Sequence, residues 1–572
     1  MREDPAKLLV LRLRGSQAEM GRQHGRILRD RGGHEAAIDY YRDLPARLLF
    51  GTRGGGPLVS VLRRLTAPVL DLLLRRLDRD RPAPYRERTL AFMEAIGRDV
   101  ADARALLVMD LFQNAVGVAG RLGLGPFAGE AAAPACSSLA VWGRASRGGG
   151  LGLGRNFDFP GVGIWDRAPV LVFCEPDAGL RYGFVTTRGA DVAGVTAFNE
   201  AGLVLGSHTR LHREVAFSGL GIVDLVHDLA RRAATLDEVV ALARERPVAS
   251  TFGIIVASGR ERRAVSLETT AAGVAVVEPA PGEDFLAVTN HYCGPAATRG
   301  ELAPCAGFGV NTRARARRLR EVAARGQAAL GLDGPDLARL LGDCVDPEDP
   351  AEERAAGSVV SQPTTVQSTV FKPDAEAIHV SVGPCPTGLG PYVRVPWRWT
   401  GDVGWEELGA EPEPETGIRA PCSRFASGPA AEAYARMVHA FRVILDDRDF
   451  AAARTALEGA CALDPAEPRY RFLAGTIALR EGDARAALAH LERGLATEGA
   501  PFRRGNLLLW AARAAHESGD AARAGEHRAA LLATSDPRLA SHRRAAEAEA
   551  VRPFPARRLR RIAVNFLAAD VQ

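Results

Sequence analysis

The sequence predicts an α+β layered domain followed by an all-α domain of helical repeats. Three observations carry that expectation. Apolar residues recur at helical spacing up to about residue 122, the texture changes to short β-like runs after residue 136, and the last third carries a self-similar helical segment. At 572 residues the chain exceeds one ordinary core. Its 47% apolar and 25% charged content is that of a globular protein.

In chain order, residues 8–15 alternate apolar and basic as a strand does, and Ser16 with Glu19 forms a capping-box pattern opening a helix to about Arg29. Residues 57–122 read as a helical layer; the small-residue stretch 129–135 reads as an exposed loop ending at Cys136. Beyond it lie short runs at 139–142, 169–174, 182–187, 194–198, 203–206, 252–257, 272–277 and 285–288, separated by Gly and Asp turns, which suggest antiparallel sheets. Helical patterns at 222–232, 236–244, 312–324 and 336–341 fall outside these runs, which implies a layered α+β arrangement.

Residues 409–417, with Glu-Pro-Glu-Pro-Glu, read as a linker. Asp449-Phe-Ala-Ala-Ala and Asp483-Ala-Arg-Ala-Ala then lie 34 residues apart, Leu457 recurs as Leu491, and a third copy begins near Asp520. A period of 34 resembles tetratricopeptide repeats, which bind peptides or proteins or simply pack as a lid or dimer surface. The expected divisions are 1–135 (helical layer and pro-segment), 136–400 (catalytic core), 401–429 (linker), 430–535 (repeats) and 536–572 (a capping segment, with a basic amphipathic helix at 557–568).

Composition excludes several functions. A net charge of +4, from 73 basic and 69 acidic residues spread along the chain, argues against a nucleic-acid footprint. The N-terminus has acidic residues at once and no apolar core behind it, and the apolar stretch 57–77 is broken by four arginines. Neither a secretory signal nor a membrane span is expected, and a cytoplasmic location follows by default. The eight cysteines lack paired spacing, so neither a disulfide framework nor a zinc site is indicated, and no cofactor is called for.

The chemistry-bearing residues centre on Cys136, in Pro-Ala-Cys-Ser-Ser-Leu-Ala-Val-Trp-Gly (134–143), with Arg155 and Asp158 following in Gly-Arg-Asn-Phe-Asp-Phe (154–159). A thiol opening one strand, with a cation and a carboxylate on the next, is the equipment of an activated nucleophile. With Met-Gly-Arg-Gln-His-Gly (20–25), Phe-Asn-Glu-Ala-Gly-Leu (198–203), Val-Thr-Asn-His (288–291) and Ser-Thr-Val-Phe-Lys-Pro (368–373), these motifs in this order resemble the acyl-coenzyme A:6-aminopenicillanic acid acyltransferase family over roughly residues 10–395. That family belongs with the choloylglycine hydrolases among the N-terminal nucleophile hydrolases.

The resemblance implies an αββα sandwich and a precursor that cuts itself before Cys136, leaving residues 1–135 and 136–572 associated. A free α-amino group titrates near 7.7–8.0 and a thiol near 8.5, so an amine on the same residue is a base matched to its nucleophile. By the same resemblance Arg155 and Asp158 hold the α-amine and substrate. Asn199 and Asn290 supply the oxyanion donors, one through its backbone N–H and one through its side-chain amide. Arg313 supports the nucleophile, with Arg315 and Arg317 crowding the same segment.

The implied reaction is amide hydrolysis or acyl transfer through an acyl-enzyme, on a small-molecule amide or an acyl-coenzyme A. Two other readings stand beside it. One is an interaction scaffold in which the repeats bind a protein or peptide and the front domain is inactive. The other is a Cys–His protease using His208 or His291.

Overall fold

A computed structural model of the chain describes residues 7–50, 57–123, 135–295, 297–410 and 423–571. The order of elements begins with strand β1 (Lys7–Gly15) and six helices, α1 (Gln17–Arg31), α2 (Glu35–Phe50), α3 (Pro57–Arg79), α4 (Ala83–Ala95), α5 (Val100–Ala105) and α6 (Val108–Arg121). Strands β2 (Ser137–Gly143), β3 (Gly149–Asp158), β4 (Pro169–Pro176), β5 (Tyr182–Thr187), β6 (Thr196–Asn199) and β7 (Leu203–Thr209) follow, then α7 (Ile222–Arg232) and α8 (Leu236–Glu245). Next come β8 (Phe252–Ser258), β9 (Arg263–Thr270), β10 (Gly273–Val277), β11 (Phe285–Val288), α9 (Ala306–Gln327), α10 (Gly334–Leu341), a hairpin of β12 (Val345–Asp346) and β13 (Asp349–Glu353), and β14 (Thr365–Lys372), β15 (Ala377–Ser381), β16 (Tyr392–Pro396) and β17 (Gly404–Gly409).

These strands make two sheets. The larger runs β10-β9-β8-β7-β6-β5-β4-β1-β17, antiparallel except for the parallel β1–β4 pair, and the smaller runs β11-β2-β3-β14-β15-β16. The period-two alternation of strand side chains builds the layers. Leu8 and Val10 of β1 and Ala140 and Trp142 of β2 join one inter-sheet core with Phe173, Phe198, Ile255 and Phe371. The opposite face of β1, Leu9, Leu11 and Leu13, packs with Met20, Leu28, Phe92, Leu225 and Leu229 of the helices outside the large sheet. Leu139 and Val141 of β2 pack outward on Leu319, Ala323, Leu337 and Leu341 of α9 and α10. Helices, sheet, sheet and helices thus form the expected αββα arrangement within an α+β fold.

Local sequence explains how the layers close. Ser16 Oγ accepts the Glu19 N–H at 3.2 Å and starts α1 where the sequence pattern puts it. Gly21 and Gly25 in that helix have no room for a Cβ: one would lie 2.3 Å from Arg88 O and the other 2.6 Å from Phe92 O. The Met-Gly-Arg-Gln-His-Gly motif therefore lets α1 and α4 approach backbone to backbone.

Beyond the sandwich the chain is helical: α11 (Gly428–Asp447), α12 (Phe450–Leu463), α13 (Pro468–Glu481), α14 (Ala484–Thr497), α15 (Pro501–Glu517), α16 (Ala521–Leu532), α17 (Ala540–Val551) and the short α18 (Ala556–Leu559). Asp449, Asp483 and Asp520 each cap the helix that follows, accepting the N–H three residues on. The chain ends in a hairpin of β18 (Val564–Asn565) and β19 (Asp570–Val571).

Several boundaries differ from the sequence expectation. The start of the expected 401–429 linker is strand β17, which pairs with β1 at the edge of the large sheet; residues 411–422 lie outside the described residues. The segment 1–135 is more than a helical layer, because β1 sits between β4 and β17 inside the sheet. The expected loop 129–135 lies outside the described residues except for Ala135, which is buried. The helix expected at 557–568 is confined to α18, after which the chain turns into the buried hairpin.

Candidate active site

Cys136 precedes β2 and is buried in the intact chain, its Sγ 3.9 Å from the Asp158 carbonyl oxygen. Pairing of β2 with β3 sets Ser138 opposite Arg155, so the chain direction of the hairpin fixes the arginine beside the thiol. Arg155 is fully buried and ties the two sheets together. Its Nε donates to Thr196 Oγ1 at 3.0 Å, its Nη1 to Ser138 Oγ at 3.3 Å and its Nη2 to Ser207 O at 2.5 Å. Room for it comes from Gly206, where a Cβ would stand 2.8 Å from Arg155 Cδ.

His208 also faces this guanidinium. Its Nδ1 lies 3.1 Å from Gly206 O, so that nitrogen carries the proton, and its Nε2 accepts from Arg155 at 3.3 Å. Burial and the adjacent arginine hold the imidazole neutral, well below its usual range.

Asp158 accepts Thr365 Oγ1 through Oδ1 at 2.5 Å, while Oδ2 is buried without a partner. Burial raises its carboxyl to about 7 against the opposing pull of Arg315, Thr365 and Arg155. The thiol of Cys136 is likewise pushed up by burial, although Arg155 acts to lower it. Burial thus favours the neutral thiol over the thiolate, and the two arginines oppose it.

From the helix side, Arg315 of α9 reaches the same point. Its Nη1 donates to Cys136 O at 2.7 Å and Ser137 Oγ at 2.9 Å, its Nη2 to Asn290 Oδ1 at 3.0 Å and its Nε to Asn311 Oδ1 at 2.9 Å. Burial lowers its pKa to about 10. Asn290 is held in turn by Thr312 Oγ1, which accepts its backbone N–H at 2.9 Å, and its Nδ2 donates to Thr209 O.

The structure thus brings Cys136, Arg155, Asp158 and Asn290 into one buried cluster. It does not bring Arg313 there. That side chain is exposed on the outer face of α9 and pairs with Glu301 at 3.0 Å, so the residue that contacts Cys136 is Arg315. Helical spacing carries the signal: Phe308, Asn311, Arg315, Leu319 and Ala323 share the buried face, and position 313 falls opposite. Asn199 is also placed elsewhere by its side chain. Its amide donates to Ala230 O and Ala233 O at the end of α7 and accepts the N–H groups of Ala201 and Leu203, closing the β6–β7 turn. The side-chain amide beside Arg315 is that of Asn290. His291 packs on Thr289 and Thr312, and burial brings it down to about 3. Thr365 and Asn311 join the cluster without any motif role that singles them out, and three-dimensional pairing reveals them; Ser137 lies in the Cys136 motif, and His208, the histidine of the Cys–His reading, faces Arg155.

Among the described residues, no group of three or more His, Cys, Asp or Glu is placed to hold a metal, and no helix is long and apolar enough to cross a membrane.

Residues 146–384 match the family described as acyl-coenzyme A:6-aminopenicillanic acid acyltransferase. The matched span contains Arg155, Asp158, Asn290 and Arg315 and begins after Cys136. No curated protein matches the chain. Among solved structures, the chain is similar to a Caenorhabditis elegans N-acylethanolamine-hydrolyzing acid amidase ortholog, with 17% identity over 42% of this chain and 93% of that one and a TM-score of 0.30. It is also similar to a mutant conjugated bile acid hydrolase from Clostridium perfringens, with 9% identity over 48% of this chain and 97% of that one and a TM-score of 0.34. The family match supports acyl transfer in general terms.

Proposed function

We propose that the chain is a cysteine-dependent amidohydrolase or acyltransferase of the N-terminal nucleophile type, activated by cleavage of its own Ala135–Cys136 bond. The observation that carries this reading is the position of Cys136 at the head of β2 between two buried guanidinium groups, Arg155 and Arg315, with an unpartnered Asp158 oxygen in the same cluster. Buried cations favour a thiolate and an anionic tetrahedral centre. An unpartnered buried carboxylate oxygen is a ready acceptor for the α-amine that cleavage would create.

In this reading the new α-amine takes the thiol proton, and sulfur adds to a substrate carbonyl. The Asn290 amide and a backbone N–H stabilise the oxyanion, and the leaving amine or thiol departs with the proton. Asn199 is not assigned to the oxyanion in this reading, since its amide is committed to the β6–β7 turn and α7. Water or an acceptor amine then resolves the acyl-enzyme, so the substrate is an amide or a thioester, acyl-coenzyme A included.

The helical domain we read as tetratricopeptide-like, from the three capping aspartates and the 34-residue spacing of the first two. The described cysteines are all free thiols, and a reducing cytoplasmic setting fits them.

The test is direct. The parent protein is expected to run as two bands on a denaturing gel, with Cys136 as a new N-terminus, and Cys136→Ala as one. A Cys136→Ala protein that still splits at this bond, or a parent that stays whole, overturns the reading.

A further inference from the structure

The last residues of the chain return to the site. Leu567 and Ala568, in the turn of the β18–β19 hairpin, pack with Cys305 and Phe308 of the α9 entrance and enclose Ala135, which is 1% exposed. This tail is anchored from both domains. Leu567 O accepts the Gly357 N–H at 3.1 Å and Asn311 Nδ2 at 3.3 Å, and Asp570 accepts the Gly307 N–H at the start of α9. From the helical domain, Arg503 of α15 donates to Ala568 O and Ala569 O, Asn506 donates to Asp570 Oδ1 at 2.8 Å, and Phe441 of α11 meets Phe566 at 5.7 Å. Asn311 thus touches the tail with one end of its amide and Arg315, the arginine on Cys136, with the other.

We infer that Leu567 and Ala568 form a wall of the acyl-group pocket, and that the site takes small apolar acyl groups. This rests on the reading of Cys136 as the acyl-accepting thiol. In self-cleavage the Cys136 sulfur bonds to the Ala135 carbonyl carbon as the C–N bond breaks and the thiol proton passes to the departing amine. Water then adds to that thioester, releasing the Ala135 carboxylic acid and returning the thiol. Ala135 is therefore the carbonyl end of the first acyl group the sulfur carries, and every later substrate makes the same thioester on the same atom. The space that holds Ala135 is where its acyl chain goes, and there Ala135 packs with two alkyl side chains, a phenyl ring and a thiol. Those apolar contacts reward hydrocarbon in the acyl group. The wall is supplied by the tail and held by the helical domain, which gives that domain a part in acyl selection.

The experiment uses the full chain and acetyl, butyryl, hexanoyl and octanoyl p-nitrophenyl esters, with kcat/KM and the mass of acylated Cys136 as readouts. Leu567→Ala should shift preference toward the longer chains by about tenfold, and Ala568→Leu should shift it toward acetyl by a similar factor. Iodoacetamide labelling of Cys136, resolved by peptide mass, supplies a readout independent of turnover, and it should quicken in Leu567→Ala while Cys174 stays protected. A parent acylated on Cys136 whose chain-length profile moves in neither variant overturns the acyl wall alone. A parent that no ester acylates at Cys136 overturns the function proposed for that thiol and the wall with it.

Discussion

Replacing Asp158 by asparagine in a Cys136→Ala background isolates the electrostatics of the site from its chemistry, because under the proposed function that background keeps the chain uncut. Burial raises the Asp158 carboxyl to about 7, and Cys136 is not among the groups that set this value. An unfolded aspartate titrates near 3.9. Between these values the folded protein holds a proton that the unfolded chain has lost, so stability falls as pH rises through the window. A tenfold change in proton affinity is worth about 1.4 kcal/mol, which makes the whole window about 4 kcal/mol. About 2–3 kcal/mol of that is lost between pH 5 and pH 8.

The asparagine amide would still accept the Thr365 hydroxyl and has no proton to lose. Urea unfolding of the two proteins at pH 5 and pH 8, followed by tryptophan fluorescence, measures the difference, since other titrating groups are shared and cancel. The Cys136→Ala protein should lose about 2–3 kcal/mol more than the double variant over this interval. Equal losses would mean that Arg155 and Arg315 outweigh burial and keep the carboxylate ionised throughout, which refutes the reasoning.

Arg315→Lys, which cannot reproduce the fork on Cys136 O, Ser137, Asn290 and Asn311, should slow acylation of Cys136 by at least about a hundredfold, whereas Arg313→Lys should stay within about twofold. Stopped-flow release of p-nitrophenol compares them. Gly206→Ala drives a methyl into Arg155 and should cost about 1–3 kcal/mol, with slower self-cleavage on a timed gel. Asp191 is held far below the usual carboxylate range despite its burial, by the Arg88 fork at 2.8 Å and by His24. Asp191→Asn strands the buried Arg88 charge and should destabilise the fold by about 3–5 kcal/mol near neutral pH; the parent loses this advantage as pH falls below about 4. Thermal unfolding across pH reads both effects.

What was legible in the chain is what periodicity and motif order carry. Alternation marked β1, short runs between Gly and Asp turns marked most other strands of the large sheet, and the capping pattern at Ser16 placed α1. The cluster around Cys136 was legible where its members sit on one hairpin, as Cys136 and Arg155 do, because register converts sequence distance into contact. It was less legible for α9, where three arginines alternate at 313, 315 and 317. There only the helical phase, set by Phe308, Leu319 and Ala323, separates the buried residue from the solvated ones. Asn199 was ambiguous for a related reason: a short amide can serve a turn or an oxyanion equally well, and its neighbours on α7 lie some thirty residues away. The tail hairpin gave no signal, since its burial depends on partners from α9, α11 and α15 that no local pattern announces.

The position of β1 decides what a cut at Ala135–Cys136 can do. A removable pro-segment would pack on the outside of the core, but β1 lies between β4 and β17 and shares ladders with both. Its Leu8 and Val10 face the inter-sheet core and its Leu9, Leu11 and Leu13 face the helices, all at most 1% exposed. At about 1.5–3 kcal/mol for each fully buried side chain, these five alone are worth on the order of 10 kcal/mol, before the contacts of α1 and α4 are counted. Removing residues 1–135 would also open two interior strand edges and uncover the helix face of the large sheet. The two pieces should therefore co-elute as one species of the full mass on a native column and part only in denaturant. Separation under native conditions would show that the N-terminal strand contributes little to the cut protein, contrary to its place in the sheet.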